Sequence, residues 1–230
     1  MSLHKGNQKR IYFEGAIYFV TCHTQNWYRF FKEPIFCEVF IANLRLCKIM
    51  HKFSLYAFIV ILHHFHLLFF PGDVKGLSKI MHFLKRNISR DINFILGYPS
   101  EGAIHESLLR MEEEVNLGVR GKILHKNLNF LPARSDRKLK NKYKVYRRLL
   151  EEHWEFLKKL KNQFHEKYGV NHKFPKFRWQ KSFRDHYIRN QKDFEAHIKY
   201  IHNNPFKHKI KNAENYKYIF TNYKDLINEF

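Results

Sequence analysis

Phe58-Ile-Val-Ile-Leu-His-His-Phe-His-Leu-Leu-Phe-Phe70 is almost wholly apolar, rich in β-forming residues, and interrupted at its centre by three histidines. The stretch predicts two strands, Leu55 to Ile61 and His64 to Phe70, joined around Leu62-His63. Residues two apart on a strand share a face, so His64 and His66 point one way while Phe65 and Leu67 point the other. Two adjacent imidazoles on a buried strand suit a metal ion, and backbone carbonyls at a sheet edge would equally satisfy them. The same alternation is expected to turn either His63 or His64 away. The junction contains no Gly, Pro or Asn, so its turn chemistry is weak.

Outward from this hairpin, the chain alternates between the two periods. Ala16-Ile-Tyr-Phe-Val-Thr-Cys-His-Thr24 reads as a first strand. Pro34 opens a segment with Phe36, Cys37, Phe40, Leu44 and Cys47 at helical spacing. After Pro71-Gly72, Asp73 is a suitable N-cap for an amphipathic helix. Its stripe is Leu77, Ile80, Met81, Leu84, Ile88, Ile92 and Ile95, and Gly97 closes it. The order β-α-β-β-α supplies five of the six elements of a ferredoxin-like βαββαβ fold. Phe183 to Ile188 supplies the sixth. The expected class is therefore α+β, a ferredoxin-like sheet with a C-terminal helix and a helical insertion.

That insertion separates residues 1–97 from 175–230 and occupies 98–174. It holds a locally acidic helical segment at Glu106–Val115, then a basic run from Arg134 to Arg148. Leu139, Tyr146, Leu150, Trp154, Leu157, Leu160 and Phe164 continue a helical period up to Gly169, a natural stop. This helix is long for a globular domain. It reads as a solvated charged helix pairing through a seam, as a basic arm along a phosphate backbone, or as both.

Composition narrows the partner. The 230 residues carry 42 Lys and Arg against 21 Asp and Glu, a formal charge of +21. Such an excess opposes compaction, so a polyanion is expected, either nucleic acid or an anionic membrane surface. The sequence has no uncharged apolar run long enough for a transmembrane helix. Its first ten residues are polar and basic, with no apolar core of a signal peptide, so a cytoplasmic, nucleoid-associated location is expected. Cys22, Cys37 and Cys47 are odd in number and without CxxC spacing, as in reduced thiols.

Asn190 is a suitable N-cap for a helix whose core stripe is Phe194, Ile198 and Ile201, ending before Pro205. Tyr200 and Asn204 are four residues apart to one side of that stripe. On this helix alone they read first as an interfacial tyrosine and a C-terminal cap, and they would also suit a nucleophile beside a metal ligand.

Taken together, these pieces resemble a known family. His64-Phe-His66 matches the His-hydrophobe-His motif of HUH single-strand nucleases. Phe58–Pro71 and Leu77-Ser-Lys-Ile-Met-His-Phe-Leu-Lys85 resemble the IS200-like, single-tyrosine transposases. Tyr18-Phe-Val-Thr21, Trp179-Gln180 with Asp185-His-Tyr-Ile-Arg189, and Tyr200-Ile-His-Asn-Asn-Pro-Phe-Lys-His208 are similar to the REP-associated subgroup. The resemblance covers residues 10–97 and 175–210. It implies His64 and His66 as ligands of a divalent metal, Mg²⁺ or Mn²⁺, with Asn204 completing the site. It implies Tyr200 as the nucleophile that cleaves single-stranded or hairpin DNA through a 5′-phosphotyrosine, leaving a free 3′-OH. Phosphate and base contacts are then expected from Lys79, Lys85, Arg86, Arg90, Arg137, Lys138, Arg147, Arg148, Trp179 and Arg189. Family members occur as monomers and as homodimers. The family's usual Pro-Asn before the motif is replaced here by Leu62-His63. Two other readings are a catalytically silent DNA-binding protein of the same fold and an RNA-binding ferredoxin-like module.

Overall fold

The structure, a computed structural model, describes residues 13–72, 76–98 and 137–229, with side chains outside 137–143. Its elements run β1 (Tyr18–His23), α1 (Pro34–His51), β2 (Ser54–Ile61), β3 (His64–Phe70), α2 (Gly76–Ile95), α3 (Arg137–Tyr168), β4 (Arg184–Tyr187), α4 (Gln191–His202) and α5 (Asn204–Lys207). The four strands form one sheet in the order β2-β3-β1-β4, every pair antiparallel. That is the ferredoxin-like arrangement expected from the element order, interrupted between α2 and β4 by the long helix α3. β1 and β4 are shorter than the sequence suggests, because their flanking residues leave the ladder. Asp73 and Glu106–Val115 lie outside the described residues.

The chain divides into two compact units, Met1–Ser89 with Phe177–Phe230, and Arg90–Lys176. In the first, the period-two pattern separates two apolar faces. On one face, Phe40 of α1 packs against Phe58 and Phe65, with ring centroids 6.5 and 5.0 Å apart. Pro34 sits in the first turn of α1, and the Glu33 carboxylate accepts from the Ile35 N–H. On the other face, Ala57, Ile59, Ile61 and Leu68 meet Phe194 and Ile201 of α4 and Ile219 of the C-terminal segment. A sheet face that could have met water is thus covered by the helix bearing Tyr200.

The C-terminal segment, basic and rich in tyrosine, seals the outer edge of β2. The Val60 N–H donates to the Tyr218 carbonyl, and the Asn228 N–H donates to that of Leu55. The Tyr216 hydroxyl donates to the Val60 carbonyl at 2.7 Å. Backbone groups that would otherwise be unpaired at a sheet edge are satisfied within the chain.

In the second unit, α3 buries Leu150, Leu157, Leu160 and Phe164. Its His153 meets Asp91 at 2.8 Å, both buried, and its Trp154 lies 4.6 Å from Phe94 between ring centroids. The seam reading of this helix is thereby realised against the last turns of α2. The Gly169 N–H, at φ 74°, donates to the His165 carbonyl and ends the helix.

Candidate metal and nucleophile site

The β2–β3 hairpin turns on Leu62 and His63. Leu62 adopts φ 48°, a conformation that side chains other than Gly, Asn and Asp seldom take. Hydrogen bonds from outside the hairpin hold it there. The Phe31 N–H donates to the Leu62 carbonyl at 2.7 Å, and the Thr24 N–H to the His63 carbonyl at 2.8 Å. The buried Thr24 hydroxyl lies 2.7 Å from the Tyr28 carbonyl and 3.1 Å from that of His63. The weak turn chemistry of Leu-His is therefore supplied by residues that follow β1.

One expectation fails at this turn. His63 does not turn away from His64; their Nδ1 atoms are 3.2 Å apart. Strand alternation does not govern His63, because it belongs to the turn and β3 begins at His64. His23, which ends β1, is paired with His64 across the ladder, with ring centroids 5.1 Å apart. The sequence reading passed over His23 because nothing local marks it. Only the antiparallel register of β1 on β3 brings it in.

His64 and His66 share a face, 4.8 Å apart between ring centroids, and both are buried. Thr21, directly across from His66, places its hydroxyl 2.8 Å from His66 Nδ1. With the proton on Nδ1 the ring donates to that hydroxyl and keeps a lone pair on Nε2, which is buried and has no hydrogen-bond partner among the described residues. The Tyr200 ring stands edge-on to the His66 ring at 5.3 Å, and Phe19 stacks on the imidazole at 5.1 Å while meeting the Tyr200 ring at 5.8 Å. Tyr200 itself is 38% exposed, so its hydroxyl is open to a substrate.

Asn190 caps α4 as expected, its side chain accepting from the Asp193 N–H. The helix ends at His202, and Asn204 opens α5. The C-terminal cap of α4 is thus Asn203, and Asn204 is fully buried with neither amide atom hydrogen-bonded among the described residues. A buried imidazole nitrogen and a buried amide, both without partners, fit a metal-ligand role. Three residues further on, the Lys207 ammonium lies 3.5 Å from the Tyr200 hydroxyl and 4.9 Å from its ring centroid. Lys207 lies within the Tyr200–His208 stretch, but the sequence alone assigns it no role.

Burial, followed by repulsion between neighbouring imidazoles, lowers the histidines' pKa values. His64 falls to about 2 and His66 to about 3. His23 falls to about 4, through burial and then the charges of His63 and Arg184. His63 and His208 move the same way for the same leading cause. At neutral pH the cluster consists of uncharged imidazoles with lone pairs to give.

The expected nucleic-acid contacts take several positions. Lys79 and Arg86 are exposed on α2. Arg86 lines a cleft of about 650 Å³ with His82, Lys85 and residues 177–183. Lys85 is half-buried and donates to the Gln180 carbonyl at 2.9 Å. Arg90 is drawn inward beside buried Asp91, its side chain 11% exposed, so it offers little to a phosphate. Arg147 and Arg148 are exposed and pair with Glu151 and Glu152 one turn on. Arg189 is held by Asp193 at 3.0 Å. Trp179 is half-buried: its indole N–H donates to the Lys85 carbonyl and its ring packs on Phe31, Phe65 and Phe177, while it also lines the cleft beside Arg86. Only the backbone of Arg137 and Lys138 is described.

No family model and no curated protein matches this sequence. One solved structure is similar to it. That structure, "Structure of the REP associates tyrosine transposase bound to a REP hairpin", aligns over 97% of this chain and 88% of the other, with 15% identity and a TM-score of 0.44. Similarity at that level transfers no residue role, and the site rests on its own geometry. Among the described residues, no helix is long and apolar enough to cross a membrane.

Proposed function

We propose that this chain is a single-tyrosine transposase of the HUH type, which cleaves and rejoins single-stranded or hairpin DNA. One observation carries the reading: the Tyr200 ring lies 5.3 Å from that of His66, so two motif halves far apart in sequence meet at one place. His64, His66 and Asn204 would hold a divalent ion, Mg²⁺ or Mn²⁺. When bound, that ion supplies Lewis-acid polarisation of a non-bridging phosphate oxygen.

The chain's own groups do the rest. The Tyr200 oxygen attacks the scissile phosphorus, losing its phenolic proton and forming the Oη–P bond as the bond to the 3′-oxygen breaks and that oxygen takes up a proton. The products are a 5′-phosphotyrosine and a free 3′-OH, and the reverse attack by a 3′-OH rejoins strands without a further energy source. Lys207 is placed to offset negative charge that develops on the phenolic oxygen. Thr21 fixes the orientation of His66. Exposed bases on α2, Lys79 and Arg86 among them, would steer the phosphate backbone. The charge of +21 supports a polyanionic partner.

The test is covalent trapping. Wild-type protein incubated with a labelled hairpin oligonucleotide and Mn²⁺ should give an adduct stable to denaturant. Tyr200→Phe should give none while retaining hairpin binding. An adduct formed by Tyr200→Phe would overturn the assignment.

A further inference from the structure

At one end of the β1–β3 pair, three imidazoles converge that the proposed catalytic set does not need as a group. His23 closes β1, His64 opens β3 directly across from it, and His63 occupies the turn between β2 and β3. One ring nitrogen from each lies within 4.8 Å of the other two. The His63 and His64 Nδ1 atoms are 3.2 Å apart, close to the roughly 3.3 Å that separates two nitrogens bound to one tetrahedral zinc at 2.0–2.1 Å. The backbone that carries two of these rings is held from outside. The His63 carbonyl is anchored by Thr24, and the His23 carbonyl accepts from the Gln180 N–H at 2.9 Å. Trp27 walls the group, 4.3 Å from His23 and 5.1 Å from His63 between ring centroids. His208 stands 5.0 Å from His64 as a further imidazole at the margin.

We propose that His23, His63 and His64 form a second metal site, selective for a borderline divalent transition ion such as Zn²⁺ or Co²⁺. An all-imidazole donor set suits these ions, whereas Mg²⁺ favours a set that includes an oxygen donor, such as the Asn204 amide supplies in the proposed catalytic site. Three imidazoles fill three corners of a tetrahedron and leave one open. The site shares His64 with the proposed catalytic pair but does not depend on the nuclease reading, since it requires neither DNA nor Tyr200.

Metal-free protein is titrated with Co²⁺ alone while the visible ligand-field bands are followed, and Zn²⁺ affinity is measured against a chromogenic chelator in millimolar Mg²⁺. One tight equivalent should bind and should resist Mg²⁺. His23→Gln and His63→Gln should each weaken Zn²⁺ binding at least about tenfold, a loss typical of a damaged metal shell, while His66→Gln changes it little. His23 and His63 are only partly buried, so both variants should fold; melting in excess chelator checks this. No Co²⁺ bands, displacement by Mg²⁺, or a loss confined to His66→Gln would each overturn the proposal. Failure here would leave the Tyr200 adduct experiment untouched, and failure of that experiment would leave this one standing.

Discussion

Asn204 is fully buried with neither amide atom hydrogen-bonded among the described residues, an arrangement that costs on the order of 1–3 kcal/mol. If the side chain is kept for a metal, replacing it with an apolar isostere separates stability from function. Asn204→Leu should raise the melting temperature of metal-free protein while abolishing adduct formation; a variant that melts lower would mean the amide has a structural partner. Lys207 makes a second prediction at this scale. Lys207→Ala should slow adduct formation about tenfold or more with hairpin affinity little changed, and Lys207→Arg should restore part of the rate. Equal loss of binding and rate would make Lys207 a phosphate contact only. The histidines give a third. The unfolded chain protonates its imidazoles near pH 6.5, whereas His23, His64 and His66 in the fold resist until about 4, 2 and 3. Between those values the unfolded state binds more protons, so stability should fall as pH drops from about 7 towards 4. Thermal melts in chelator should show that fall, and His64→Leu should reduce it; parallel curves for the two proteins would argue against the buried neutral cluster.

Among the elements, the β2–β3 hairpin joins sequence to site. Alternation in Phe58–Phe70 fixed the faces of His64 and His66 from the sequence alone, because both lie within a regular strand. It misled at His63, where a turn breaks the period, and it gave no hint of Thr21 or His23, which enter through pairing with a distant strand. Asn190 was readable as a cap because its oxygen acts locally. Trp179, expected among the DNA contacts, has its indole held by the Lys85 carbonyl and three phenylalanines, neighbours that the sequence does not reveal, and it also lines the cleft beside Arg86. Local chemistry can be read along a chain, while cross-strand neighbours require the register. The Thr24 clamp can be tested directly. Thr24→Val keeps the shape but removes the hydroxyl that meets the Tyr28 and His63 carbonyls, and should destabilise the protein by about 1–2 kcal/mol in denaturant melts. No change would mean that the backbone N–H of Thr24 alone secures the turn.

Across the whole molecule, the excess of positive charge predicts DNA affinity that falls steeply with salt. The contributing residues are not interchangeable. Arg86, exposed on α2, should lower the log–log salt slope by about one when replaced by Ala, whereas Arg90, turned in beside Asp91, should leave the slope unchanged and reduce stability instead. The opposite pattern would reassign the interface. The C-terminal segment bears on how the protein can be handled. Because residues 216–228 occupy the hydrogen-bonding positions along β2, shortening the chain there would bare a flat, greasy strand able to recruit the same strand of another copy. Truncated versions should therefore precipitate while their histidines and tyrosine are still in place, and inactivity in such material would report aggregation rather than lost chemistry.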